Sequence, residues 1–206
     1  HLLPISPFLP EVLDSLSTHK SLVLQAEPGA GKSTALPLSL IEASWLGDKK
    51  ITMLEPRRVA AKSIAHYLSK QLGEKVGGKI GYQVKNDRKV SADTVLEIVT
   101  EGILTRRLQN DPDLSDTALI IFDEFHERSV HSDFGLALAI ESQTALREDL
   151  RLLVMSATLD MQLLTSLMPD AEHLTVEGRQ FPITYNYCPM LAPVKNTRNM
   201  HWQQRD

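Results

Sequence analysis

The sequence is poor in cysteine and in aromatic side chains. It has one cysteine, Cys188, and 5 % Phe, Trp and Tyr in 206 residues. A single cysteine excludes an internal disulfide and a cysteine-based zinc cluster, and it fits a reducing compartment such as the cytoplasm. No apolar run approaches the ~18 residues of a membrane span, so no membrane partner is expected. No basic stretch followed by an apolar one opens the chain, so no secretory leader is expected. Positive charge is not in excess either: 22 Lys and Arg stand against 26 Asp and Glu, a net charge of −4. Bulk attraction to nucleic acid is thereby excluded, whereas a local basic stripe is not. Internal repeats and low-complexity segments are absent. The first residue is His1 rather than Met, so a trimmed chain is expected.

What is present suits a folded domain. Hydrophobic residues make up 42 % of the chain, enough for a core and too many for a disordered one. The length fits one domain, or one domain with an appendage. Apolar residues at Phe8, Leu9, Val12, Leu13 and Leu16 have helical spacing, with Pro7 suited to a first turn. Apolar runs predict strands at 21–26, 51–55, 79–84, 94–100, 118–122 and 150–156. Helices are expected between them. One spans "KSTALPLSLIEASW" and is bent at Pro37; others cover the Ala60–Leu72 region, 102–109, 132–146 and 160–168. "KNDRKVSAD" reads as a turn. Apolar strands alternating with helices mean an α/β fold: a mainly parallel sheet with helices on both faces. After Gly178 the pattern breaks. "RQFPITYNY" reads as one more strand, and 179–206 as a linker or the start of a further unit.

"AEPGAGKST" (26–34) lies between a strand and a helix. It matches GxxxxGK[ST] except that Ala26 stands at the first glycine position, which puts the turn at the loop's first residue in question. Gly29 and Gly31 allow a tight turn, so that N–H groups from Gly29 to Thr34, Ala30 included, point inward at phosphate oxygens. A helix starting near Gly31 would add a partial positive charge. Lys32 is placed for the β- and γ-phosphates of ATP, and the Ser33 hydroxyl for Mg²⁺. Hydrolysis needs a carboxylate at the end of another strand, and "ALIIFDE" supplies Asp123 as the metal partner through water. Glu124 is placed to share the metal or to activate water. The rest of "DEFHERS" reads in three ways: a charged helix cap, a metal site, or part of the nucleotide pocket. For a zinc site, His126 lacks other ligands at suitable spacing, and Mg²⁺ prefers oxygen. "DFG" at 133–135 imitates a kinase metal triplet, but the rest of a kinase is absent and the tripeptide opens a helix.

Six motifs occur in order: "GAGKST", "EPRRVAA" (55–61), "GYQV" (81–84), "TEGIL" (100–104), "DEFHERS" and "SAT" (156–158). Over roughly 20–178 the chain thus resembles the first RecA-like domain of a superfamily 2 helicase of the DEAH/RHA group. Phe125, where the group usually has alanine, points to a bacterial branch. The resemblance implies an ATP- and Mg²⁺-dependent enzyme acting on single-stranded RNA, or DNA. It implies nucleic-acid contacts at Arg57, Arg58, Thr100, Glu101 and Gly102, and coupling of nucleotide state to domain movement through Ser156, Ala157 and Thr158. It implies a catalytic part for His126, linking the nucleotide site to "SAT". By position Tyr67 would stack on the adenine; the competing reading packs it beside Leu68 and Leu72. The resemblance also implies a second RecA-like domain, beginning after 178, that brings arginine fingers. Two alternatives stay open. One is a self-sufficient P-loop NTPase or nucleotide kinase, with Arg106, Arg107 or Arg128 as an internal finger. The other is a non-catalytic, nucleotide-gated RNA-binding module.

Overall fold

In the computed structural model, residues 3–123, 125, 130–157 and 161–177 are described. Eight strands form one sheet: β1 Ser21–Ala26, β2 Lys50–Leu54, β3 Ile80–Val84, β4 Asp87–Lys89, β5 Leu96–Val99, β6 Thr117–Phe122, β7 Arg151–Ser156 and β8 Glu172–Val176. Their spatial order is β4-β3-β5-β2-β6-β7-β1-β8. All neighbours pair parallel except β3 and β4, which form an antiparallel hairpin. The α/β expectation therefore holds.

Each central strand divides its side chains between two cores with period two. Leu22 and Leu24 of β1, Leu119 and Ile121 of β6, and Leu153 and Met155 of β7 face one core. That core is covered by α1 (Leu9–Thr18), α2 (Leu36–Leu40) and α3 (Arg58–Gln71), which contribute Val12, Leu16, Leu36, Leu40, Ala61, Ala65 and Leu68. Val23, Ile120, Phe122, Leu152 and Val154 face the other. There α4 (Glu101–Asn110), α5 (Val130–Ala145) and α6 (Met161–Leu167) supply Leu104, Leu108, Leu136, Ala139 and Leu164. Burial on both faces explains why β6 is apolar from Ala118 to Phe122, and each fully buried Leu or Ile contributes about 1.5–3 kcal/mol.

The expected strands and most helices are present within a residue or two, and the structure departs from expectation in three places. The helix expected over "KSTALPLSLIEASW" is only Leu36–Leu40, entered through a turn in which the Ala35 N–H donates to Gly31 O at 2.8 Å. Pro37 therefore sits in the first helical turn, where its missing N–H costs nothing, and bends no helix. Residues 87–89, expected in a turn, form β4: Asn86, at φ 62°, closes a tight hairpin back onto β3. The Asp87 carboxylate then accepts from the Tyr82 hydroxyl at 2.9 Å and pairs with Lys62 of α3 at 2.8 Å. Lys62 and Tyr82 hold that carboxyl below its ordinary range. The third departure is β8, whose alternating exposure marks a half-buried strand on a sheet edge. "RQFPITYNY" and the boundary after 178 lie outside the described residues.

Arg147 joins two loops on the side of the sheet away from the strand C-termini. Its guanidinium donates to the carbonyls of Asp113, Leu114 and Thr117 at 3.0, 2.7 and 3.0 Å, and to the Asp149 carboxylate. Hydrogen bonding to Arg147 holds the Asp149 carboxyl well below the usual carboxylate range. Arg147→Ala would leave three carbonyls without this donor and is expected to cost about 2 kcal/mol in chemical denaturation. Because the folded-state value of Asp149 is depressed, its share is present above the unfolded pKa of about 4 and is lost as pH falls below it. Asp149 is largely solvated, so that share is small. The gap between wild type and variant should narrow slightly on acidification.

Candidate nucleotide and nucleic-acid site

In a parallel sheet every strand ends at the same edge, and the loops that follow the strands share that rim. The neighbours β6, β7 and β1 deliver Asp123, Ser156 and the phosphate loop side by side. On the other side of β6, β2 delivers Glu55–Arg58 and β5 delivers Thr100–Gly102.

The phosphate loop has the backbone its glycines allow. Gly29 and Gly31 have φ of 80° and 96°, the left-handed region that a Cβ disfavours. Ala26 is the last residue of β1, fully buried and paired with Val176 of β8. The turn begins beyond it, so the loop needs no glycine there. Ala30 and Lys32 are buried, whereas Ser33 and Thr34 are half-buried. The decisive contact crosses 90 residues: Ser33 Oγ donates to Asp123 Oδ2 at 2.7 Å. Asp123 is itself 2 % exposed, and its N–H donates to Leu54 O at 3.0 Å, which fixes it to the end of β2. A hydroxyl and a carboxylate in contact at a strand rim are two hard oxygen donors, which suits Mg²⁺ completed by phosphate oxygens and water. Among the described residues no group of three His, Cys, Asp or Glu could hold a metal ion by protein ligands alone.

The other predicted residues separate by location. Ser156 is fully buried at the end of β7, in register with Gln25 of β1, and Ala157 follows half-buried. Arg57 caps α3 and Arg58 opens it; both are exposed at the rim. Thr100 is the N-cap of α4, with Glu101 and Gly102 in its first turn, half-buried and exposed respectively. Tyr67 on α3 is 46 % exposed, so it does not pack in the core beside Leu68. Glu124, His126, Arg128 and Thr158 lie outside the described residues. Phe125, a branch marker in the sequence, has a structural part: it is buried in the second core and its N–H donates to Met155 O at 3.1 Å.

Two of the arginines considered as internal fingers sit elsewhere. Arg107 makes a two-pronged pair with the buried Glu97 carboxylate and also donates to Gln83 Oε1 at 2.7 Å. Arg106 and Arg107 line a cavity of about 450 Å³ between α4 and the β3–β5 face, together with Lys50 and Thr117 from the opposite ends of their strands. Arg107 is committed there and does not serve the phosphate loop.

A family model described as DEAD/DEAH box helicase matches residues 7–166. The chain belongs to this family. It is 47 % identical over 190 residues to the ATP-dependent RNA helicase HrpB of Escherichia coli, covering 92 % of this chain and 23 % of that protein. It is 34 % identical over 189 residues to an HrpA homolog of Haemophilus influenzae, covering 92 % of this chain and 14 % of that one. The crystal structure of the E. coli DEAH/RHA helicase HrpB superposes with a TM-score of 0.83 at 48 % identity, over 88 % of this chain and 23 % of that chain. This DEAD/DEAH chain thus spans about a quarter of the length of HrpB, and the RecA-like fold expected of it matches.

The two loop glycines of the helicase motif differ in what surrounds them. A Cβ at Gly29 would meet open space, whereas one at Gly31 would lie 2.8 Å from Leu3 Cδ1 and 3.1 Å from Ile5 Cγ2. Gly29→Ala should therefore cost only the backbone strain of about 1 kcal/mol. Gly31→Ala should cost at least about twice that, because overpacking adds to strain. Thermal denaturation of the two variants checks the order.

Proposed function

We propose that this chain is the ATP-binding N-terminal domain of an ATP-dependent, HrpB-like RNA helicase. The observation that carries the reading is the Ser33–Asp123 hydrogen bond, which joins the phosphate loop to the acidic strand end. The relatives HrpB and HrpA are ATP-dependent RNA helicases, in agreement with this chemistry. In this reading the N–H groups of Gly29–Thr34 and the Lys32 ammonium bind the nucleotide's phosphates. Ser33, Asp123 through water, and Glu124 would hold Mg²⁺, which would neutralise phosphate charge. Glu124 takes the proton of the attacking water. His126, with Ser156, Ala157 and Thr158, links the site to movement against a second RecA-like domain. Exposed Tyr67 is free to stack on the base. Arg57, Arg58, Thr100, Glu101 and Gly102 face the backbone of single-stranded RNA, which helix N-termini and basic side chains suit. The compartment is cytoplasmic.

The self-sufficient kinase reading needs an arginine in cis, and the commitment of Arg107 to Glu97 speaks against it. An arginine finger supplied by a second domain is worth on the order of 10³–10⁵ in rate. The isolated chain is therefore expected to bind Mg-nucleotide weakly and turn it over slowly, measured by phosphate release with and without RNA. RNA-stimulated turnover at the rate of a full helicase would refute this.

Within the full-length parent, Asp123→Asn should weaken nucleotide binding only when magnesium is present. Arg57→Ala with Arg58→Ala should weaken single-stranded RNA binding and flatten its log Kd–log salt slope by roughly one to two. Unchanged RNA affinity together with full ATPase activity would favour the self-sufficient NTPase. Glu124→Gln with every activity intact would favour the non-catalytic module.

A further inference from the structure

The segment before α1 runs across the outside of the phosphate loop. The Ile5 N–H donates to Ala30 O at 2.9 Å. Ile5 is fully buried, and Ala30 is 2 % exposed. The segment is itself fixed: Ser6 N–H donates to Leu3 O and Phe8 N–H to Ile5 O, both at 2.9 Å. It then enters α1, anchored in the core by Val12 and Leu16.

The consequence for the loop follows from peptide geometry. A trans peptide carries its carbonyl and its N–H on opposite sides. The Ala30 carbonyl and the Gly31 N–H belong to one peptide. With the carbonyl bound outward to Ile5, the Gly31 N–H is turned away from the strap, toward the inside of the loop. A peptide bordered by a glycine of positive φ is among the easiest to rotate, because no Cβ opposes the change. The outward hydrogen bond opposes that rotation. Leu3 and Ile5 also fill the space beside Gly31, so the loop cannot relax outward in that direction.

We propose that Ile5 is a positioning residue for nucleotide binding, holding the Ala30–Gly31 peptide with its N–H aimed at the phosphates. The proposal rests on the phosphate-loop reading above. It goes further by placing part of the site's affinity in a residue that touches no nucleotide.

The test uses the full-length parent protein and a fluorescent ADP analogue with magnesium. Ile5→Pro removes the donor at a φ of −73° that a proline ring can take; it also loosens the Leu3–Ser6 turn by pushing Pro4 out of the helical region, so the strap's hold on Ala30 is lost as a whole. The Kd is expected to rise roughly tenfold, a factor equivalent to 1.4 kcal/mol. KM for ATP should rise more than kcat falls. Val12→Ala, in the same core but away from the loop, should lower the melting temperature and leave the Kd unchanged. A folded Ile5→Pro protein with the parent's Kd would overturn the proposal. Amide hydrogen exchange on the unaltered protein gives an independent answer: the Ile5 N–H should exchange more slowly with Mg-ADP bound. Equal rates with and without nucleotide would also overturn it. Lys32→Ala separates the two levels, since undiminished binding there would refute the phosphate-loop reading itself.

Discussion

The parallel pairing of β6, β7 and β1 is the constraint on which the site depends. Those ladders place the ends of three strands at one edge, and each strand end is followed by a loop with one chemical task. A one-residue slip between β1 and β7 would turn Leu24 and Met155 out of their shared core. The cost of such a slip, several buried side chains, is what holds Ser33 within reach of Asp123. The hydrogen bond between them stabilises the site only modestly. Its geometry is set by the apolar strands behind it.

On the proposed reading, the rim would also let one domain read two ligands. The phosphate loop, Asp123 and Ser156 follow β1, β6 and β7, and the basic and hydroxyl-bearing loops follow β2 and β5. The division falls between β6 and β2, whose register carries Asp123 N–H to Leu54 O. A shift of the carboxylate loop would therefore reach one strand away, next to the residues that open α3. Coupling between sites of this kind needs no long path, because the two groups of loops share a pair of hydrogen-bonded strands.

Much of this was legible in the sequence, for identifiable reasons. Doubly covered strands read as near-continuous apolar runs, and "ALIIF" and the "LLVM" of "LRLLVMS" stand out clearly. The glycine and lysine of "GAGKS" announced a loop whose φ values only glycine readily takes. What was missed has physical causes too. Residues 87–89 are all charged, so nothing apolar marked them as a strand; pairing is imposed by the turn at Asn86 and by Tyr82 and Lys62. β8 alternates too weakly to stand out. Helical periodicity continued through Lys32–Ala35, but the loop closes there by turns and leaves only Leu36–Leu40 helical. The strap over Gly31 was invisible because its contacts join segments that the sequence shows only as a helix start and a loop.

The charged hairpin has one more consequence. A sheet with a bare outer strand offers unpaired N–H and C=O groups to any extended chain that passes. Here the outer strand at that end is β4, three residues long, with Asp, Arg and Lys side chains, and it runs against the direction of the rest. A visiting strand would find almost no ladder to join and would have to strip water from charges to do so. The sheet is therefore terminated at this end by its own last turn. The rim that carries the loops can thus stay open while this edge of the sheet recruits no second copy of the chain.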